Sequence, residues 1–387
     1  MRILFASSSS GSRGGGELFL FYLAEALTKR GHQVALWASA HKRMDELATM
    51  FSGIGFVQRS PYRNTYDHPT RLLATHFNFK TSRRAANQWK EWNPDLVHIN
   101  KQNLEDGLDL LRASNNAGLV TLCTIHITQD ARFLRARAPG LRNFVSKRAL
   151  TSYRGFFVAV NESRQTELVR FLNGDESRIF SVPNGVQVPS SAELEAQRGA
   201  KRVELGLQDN QKLVIGLGRM VPQKRPWAFL ALAENLHIHV PSAQFLWVGD
   251  GAWSAEWDRI VAEKKLDTFV RRVPWQTEPS PFLAAGDLFL HTAEFEGLPF
   301  ALLEAMATGL PCAIPIELAK ELKIEDSESF VPVENILEVA RTLSDDKRLR
   351  FLAQNSISLA TRRFSVGRMA KEYEDLYLKT LALNLAH

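Results

Sequence analysis

Short runs of β-branched and aromatic residues, each followed by a helix-like stretch, recur along this chain, stop near residue 187 and begin again at Lys212. The first series holds Arg2-Ile-Leu-Phe-Ala, Gln33-Val-Ala-Leu-Trp, Leu96-Val-His-Ile, Leu119 to Ile125, Gly155 to Val160 and Ile179-Phe-Ser-Val. The second holds Lys212 to Gly218, Phe245 to Gly249, Phe269 to Val273, Leu288-Phe-Leu-His and Pro311-Cys-Ala-Ile. Apolar runs without alternation suit strands buried on both faces, as in a parallel sheet covered by helices. Between the series, Gln187 to Leu207 is rich in Glu, Ala, Ser and Arg and carries no strand signal. The pattern predicts two doubly wound α/β domains, 1–187 and 188–365, with a cleft between them. The chain's 387 residues suffice for two cores. A closing helix is expected over Val366 to Leu385, with Met369, Tyr373, Leu376, Tyr377 and Leu381 on one face.

Composition excludes several classes. With 45% hydrophobic and 23% charged residues the chain reads as globular, and its longest apolar run, Gly297 to Ile316, is broken by Gly, Pro and Glu304. Met1-Arg-Ile-Leu-Phe-Ala turns polar too early for a signal peptide, so a cytoplasmic protein is expected. Cys123 and Cys312 lie far apart in apolar runs and read as buried free thiols. Charge is uneven. Residues 1–190 carry 25 Lys+Arg against 15 Asp+Glu, whereas the remainder carries 23 against 27. A basic half and a slightly acidic half point to two surfaces with different partners.

Seven residues separate Glu296 from Glu304 in Glu296-Gly-Leu-Pro-Phe-Ala-Leu-Leu-Glu. The first acid falls in a strand-to-helix loop, the second about two turns into the helix and near the same face. Two acids in an apolar segment need polar company, and a polyhydroxyl ligand would supply it. Ser7 to Glu17 joins the first strand to the first helix through Gly14-Gly15-Gly16. Such a loop lets backbone approach an anion at a helix N-terminus, but it matches neither the dinucleotide fingerprint nor the P-loop. Arg219 and Lys224 follow the first strand of the second series; they are either phosphate ligands or a solvated basic loop. Asp250, in a Gly-Asp-Gly turn, reads as a turn organiser. His126 ends a central strand, as a packed core histidine or as a site group. No catalytic triad and no zinc or Asp-x-Asp metal spacing is evident.

Gly14-Gly-x-Glu17, Pro94-Asp-Leu-Val-His, Val182-Pro-Asn-Gly-Val, Gly218-Arg-Met-x3-Lys, Gly249-Asp-Gly and Glu296-Gly-x6-Glu-Ala-Met-Ala-x-Gly-x-Pro occur in that order over nearly the whole chain. The set resembles glycosyltransferase family 4, the retaining, metal-independent enzymes of the two-Rossmann GT-B fold. The resemblance implies a nucleotide-diphosphate sugar as donor, with no cofactor and no metal. Glu304 would bind the ribose hydroxyls and Glu296 the donor sugar, beside Gly297 and Leu298. Arg219 and Lys224 would hold the diphosphate and stabilise the leaving nucleotide. The Gly14–Gly15 backbone would close over the phosphate, and His126 would lie near donor sugar and acceptor. The helix 366–387 would pack back on the first domain. Where the family usually has a Gly-Gly-x-x-Glu loop, this chain reads Pro315-Ile-Glu-Leu-Ala-Lys-Glu, so a helix is expected in its place.

The acceptor side falls to the basic half. Arg132-Phe-Leu-Arg-Ala-Arg-Ala-Pro-Gly-Leu-Arg-Asn-Phe-Val-Ser-Lys-Arg interleaves cations with apolar groups. It fits an anionic leaflet, a phosphorylated lipid-linked acceptor, or simply a solvated basic helix. No nucleic-acid reading motif accompanies it. The expected function is hexose transfer to a glycan or lipid-linked acceptor, in surface polysaccharide or glycolipid synthesis, by an enzyme peripheral to the plasma membrane's inner face. The alternatives are a sugar-nucleotide epimerase of the same fold and a non-catalytic nucleotide-sugar-binding protein.

Overall fold

The computed structural model describes every residue except Ser10, Ser12, Arg13, Arg71, Asp175, Asp326, Ser327, Ala386 and His387, and the side chain of Leu385. Three positions of the glycine-rich loop and the last two of the expected C-terminal helix therefore lie outside the described residues. Two units emerge: Met1–Gly185 with Val366–His387, and Val186–Ser365.

The first unit is built on seven parallel strands. They are β1 (Arg2–Ser7), β2 (Gln33–Ser39), β3 (Phe56–Ser60), β4 (Leu96–Asn103), β5 (Thr121–Ile127), β6 (Phe156–Ala159) and β7 (Ile179–Ser181). Their order is β3-β2-β1-β4-β5-β6-β7, and β1 pairs with both β2 and β4. Ile3 to Ser7 are buried because helices cover both faces of β1, which explains its unbroken apolar run. On one face Trp37 packs edge-on against Trp89, with ring centroids 5.9 Å apart. The strand β3 was not read from the sequence. Phe56-Val-Gln-Arg-Ser is an edge strand whose first four residues are not buried, so it lacks the apolar run that marks the others.

The second unit holds β8 (Lys212–Leu217), β9 (Ala243–Val248), β10 (Val270–Val273), β11 (Leu288–Leu290), β12 (Cys312–Ile314) and β13 (Phe330–Pro332), in the order β10-β9-β8-β11-β12-β13. All pairs are parallel. Both sheets thus reverse direction of growth once, between β1 and β4 and between β8 and β11. In such sheets the carboxyl ends at the reversal are where ligands bind.

Two segments differ from a plain loop. The stretch after the first series forms the helix Ser191–Glu204, started by a reciprocal capping box between Ser190 and Glu193. After β12 comes the short helix Ile316–Glu321, as the missing glycine pair suggested. The C-terminal helix, Val366–Leu385, belongs to the first unit. Its Met369, Tyr373 and Tyr377 are fully buried. Tyr377 Oη lies 2.6 Å from Nδ1 of the buried His98, whose Nε2 lies 2.8 Å from Thr124 Oγ1. Thr124 in turn bonds Tyr373 Oη at 2.9 Å, so four buried polar groups satisfy one another across the helix–sheet contact.

Candidate functional site

At the reversal of the second sheet, β8 runs out into Gly218-Arg219 and β11 into His291-Thr292. Arg219 is exposed, and its guanidinium has no hydrogen-bond or ion-pair partner among the described residues. Pro222 starts a one-turn 3-10 helix, Pro222–Lys224, that ends at Arg225 in left-handed conformation (φ 50°). This turn directs the Lys224 ammonium onto the Glu296 carboxylate, in direct contact. The two side chains are 17% and 9% exposed, so each charge depends on the other.

Backbone bonds lock the two loops together. Thr292 Oγ1 donates to the Lys224 carbonyl at 2.9 Å, Gln223 Nε2 to the Phe295 carbonyl at 3.1 Å, and the Glu294 amide to the Gln223 carbonyl at 2.9 Å. Below them, Gly249 has φ 133°, and a Cβ there would meet the Gly218 carbonyl oxygen at 2.2 Å. Glycine is thus required where the loop after β9 passes the loop after β8. Asp250 Oδ2 accepts from the Trp275 amide at 3.3 Å, which ties its loop to the segment after β10.

Glu304 lies on the helix Phe300–Ala307, half-buried, while Leu302, Leu303, Ala305 and Met306 fill the core. Gly297 and the buried Leu298 immediately precede Pro299, which caps that helix. His291 was not singled out by the sequence reading. It is 4% exposed, its Nε2 has no hydrogen-bond partner among the described residues, and its pKa is lowered to about 3 by burial first and then by the Lys224 charge. The signal that drew attention to His126, a histidine at a strand end, applies equally to His291.

In the first unit the reversal places the loops after β1 and β4 side by side. Gly14 is the N-cap of the helix Gly15–Lys29, and no side chain caps it. A Cβ on Gly16 would meet Gln102 Oε1 at 2.1 Å, so the end of the Gln102 side chain, at the end of β4, packs directly on this glycine. Asn100 Nδ2 donates to the Gly16 carbonyl at 3.0 Å, and Asn100 Oδ1 lies 2.8 Å from His126 Nε2. His126 also packs edge-on against Phe19, at 5.0 Å between centroids. Burial lowers its pKa to about 3, so at neutral pH the imidazole is neutral, with Nε2–H donating to Asn100 and Nδ1 left as an acceptor. His126 is thus a packed, hydrogen-bonded residue joined through Asn100 to the glycine-rich helix start. Asn100 and Gln102 were not foreseen, since single polar residues within apolar runs carry no spacing signal. In the basic segment, Arg142 is already engaged by Glu105, with Nε donating to Oε1 at 2.9 Å. Phe133, Leu141 and Phe144 are exposed at 57%, 54% and 65%.

Among the described residues no group of three His, Cys, Asp or Glu side chains is placed to hold a metal. Among the described residues no helix is long and apolar enough to cross a membrane.

Comparison with known proteins places this geometry. The family described as Glycosyltransferase Family 4 matches residues 13–188, and Glycosyl transferases group 1 matches residues 197–326. A D-inositol 3-phosphate glycosyltransferase of Segniliparus rotundus is 26% identical over 92% of this chain and 83% of that protein. A UDP-Gal:alpha-D-GlcNAc-diphosphoundecaprenol alpha-1,3-galactosyltransferase of Escherichia coli is 25% identical over 56% of this chain, and the match spans 58% of that protein's length. Anabaena Alr3699/HepE, solved in complex with UDP and glucose, superposes with a TM-score of 0.74 at 19% identity, over 97% of this chain and 99% of that one. WaaG, a glycosyltransferase involved in lipopolysaccharide biosynthesis, gives 0.68 at 17% identity, over 97% and 99%.

Proposed function

The chain belongs to the family 4 glycosyltransferases of the GT-B fold, and from that premise we propose that it moves a hexose-type sugar from a nucleotide-diphosphate sugar to a glycan or lipid-linked acceptor. The Lys224–Glu296 contact carries the reading. It sets a cation able to meet a phosphate against a carboxylate able to meet sugar hydroxyls, at the strand ends where such sheets bind ligands. Arg219, exposed and uncompensated, adds a planar donor fork suited to phosphate oxygens.

As the bond between anomeric carbon and diphosphate breaks, negative charge grows on the leaving oxygen. Arg219 and Lys224 stabilise that charge without protein reorganisation. Glu296 holds hydroxyls of the transferred sugar, with Gly297 and Leu298 beside it, and Glu304 holds those of the ribose. The Gly14–Gly15 amides meet the phosphates, and the neutral His126 offers Nδ1 as an acceptor toward donor sugar or acceptor. The transfer retains the anomeric configuration and uses neither metal nor cofactor. Uridine diphosphate sugars are the donors to try first, because Anabaena Alr3699/HepE was solved with UDP-glucose and the Escherichia coli relative is named for UDP-Gal. A diphosphoundecaprenol-linked sugar is the first acceptor, on the same relative's name. The enzyme works at the cytoplasmic face of an anionic membrane, touching it through the exposed Phe133 and Leu141 and neighbouring arginines.

Proton NMR of the product from each uridine diphosphate hexose, with and without EDTA, tests the chemistry. An anomer matching the donor's and a rate unaffected by EDTA are expected; an inverted anomer or EDTA-sensitive transfer contradicts it. Turnover of the donor with acceptor omitted, giving an epimeric sugar nucleotide, would instead establish an epimerase. Flotation with phosphatidylglycerol vesicles tests the membrane contact, which equal non-binding to neutral and anionic vesicles would exclude.

A further inference from the structure

A groove of about 630 Å³ opens on the first unit, walled by the helices Leu108–Ala117 and Pro139–Thr151 and by the end of the short helix Leu72–His76. Arg112, Lys147 and Arg148 project into its lining, with His76, Asn115 and Phe144, and none of the lining residues is Asp or Glu. It takes no part in the transfer chemistry proposed above. The side chains of Lys147 and Arg148 have no hydrogen-bond or ion-pair partner among the described residues. Arg112 is half-buried, its guanidinium stacked over Phe79 at 4.4 Å and its Nη2 donating to the His76 carbonyl. Its Nη1 is buried without a partner, and so is Nδ1 of His76.

Uncompensated cations normally spread over a surface to lower their mutual repulsion, and buried donors normally find acceptors. Here three cations line one concavity, and one of them, Arg112, carries a buried guanidinium nitrogen with no partner among the described residues. The charge of Asp109 only partly offsets the cost of burying the Arg112 guanidinium. The His76 imidazole reports the resulting field: its pKa is lowered, by burial first and then by Arg112 and Arg148.

We propose that this groove is a second ligand site, binding a phosphate group through Arg112, Lys147 and Arg148. Arg112 supplies the directed fork, Lys147 and Arg148 the point charges at the rim, and Asn115 a neutral hydrogen bond. The ring of Phe144, 65% exposed, gives an attached apolar or sugar portion a surface to lie on. A free soluble anion and a lipid headgroup present the same phosphate chemistry to these three cations.

The His76 ring signal, assigned by its loss in His76→Asn, gives a readout confined to the groove. Inorganic phosphate and pyrophosphate are titrated into the intact protein, and phosphatidylglycerol vesicles are added in a parallel series. A saturable shift of the His76 signal with the soluble anions is expected if the ligand is free, and with vesicles alone if it is a headgroup. In either case the Lys147→Glu Arg148→Glu variant, altered only at partly exposed positions, should bind about tenfold more weakly. Arg112→Gln should do the same, with its melting temperature recorded to separate lost binding from lost folding. No shift with any probe, or a shift that survives the double variant unchanged, overturns the proposal. The transfer reading stands or falls separately, because Arg219→Ala leaves this signal untouched.

Discussion

The Lys224–Glu296 ion pair joins two loops, and the proposed role of Lys224 in transfer is coupled to that contact. Replacing Lys224 by Ala removes the ammonium from a carboxylate that is 9% exposed. The expected result is loss of transfer together with a destabilisation of about 2 kcal/mol, read from urea unfolding. Retained activity would remove Lys224 from the diphosphate site. Gly249→Ala tests the backbone beneath it. With φ 133° and a carbonyl oxygen 2.2 Å from the new Cβ, the loop must move, at a cost of about 2 kcal/mol or more. Because the Gly218–Lys224 loop is what moves, donor affinity should fall in the same variant. An alanine variant as stable as the parent, with unchanged donor binding, would mean these loops are not held as tightly as their hydrogen bonds indicate.

Elements show what was legible beforehand and what was not. Buried strands such as Arg2–Ser7 and Lys212–Leu217 announce themselves, because burial on both faces demands consecutive apolar residues. Edge strand β3 does not, since its half-buried residues relax that demand. Strand β13 does not either: Phe330-Val-Pro ends on a proline, a residue that argues against a strand. At the site, Glu296, Glu304, Arg219 and Lys224 stood out through charge in an apolar setting and through position after strands. The direct Lys224–Glu296 contact was not readable, because 72 residues separate the partners and only the sheet reversal brings them together. The C-terminal helix shows the same limit. Its apolar face was legible, whereas Tyr377 bonding to His98, 279 residues away, was not. Tyr377→Phe leaves His98 Nδ1 buried without that partner and should cost about 1 kcal/mol in urea unfolding. An unchanged unfolding midpoint would mean the bond adds nothing to helix docking.

Across the whole molecule, buried histidines set the response to acid. His98, His126 and His291 have pKa values lowered from 6.5 to about 3, chiefly by burial. Between those values the unfolded chain binds protons that the folded one refuses, so their contribution is complete above 6.5 and is lost as pH falls toward 3. Asp109 works in the opposite direction. Burial raises its pKa from 3.8 to about 7, so its contribution is present at low pH and is lost as pH rises through 7. Three groups outweigh one, and the melting temperature should fall between about pH 7 and about pH 5. A flat profile over that window would show that the histidines are less sequestered than their burial indicates.

The central claim is that the loops after β8 and β11 hold a nucleotide-diphosphate sugar and drive its transfer. Acceptor-dependent release of uridine diphosphate from a panel of uridine diphosphate hexoses, with parent and Arg219→Ala compared, addresses it most directly. Arg219 is exposed and unpartnered, so its loss leaves the fold intact and isolates the chemistry. Release by the parent with at least one sugar is expected, with a fall of about 100-fold or more in the variant. Equal release by parent and variant would contradict it.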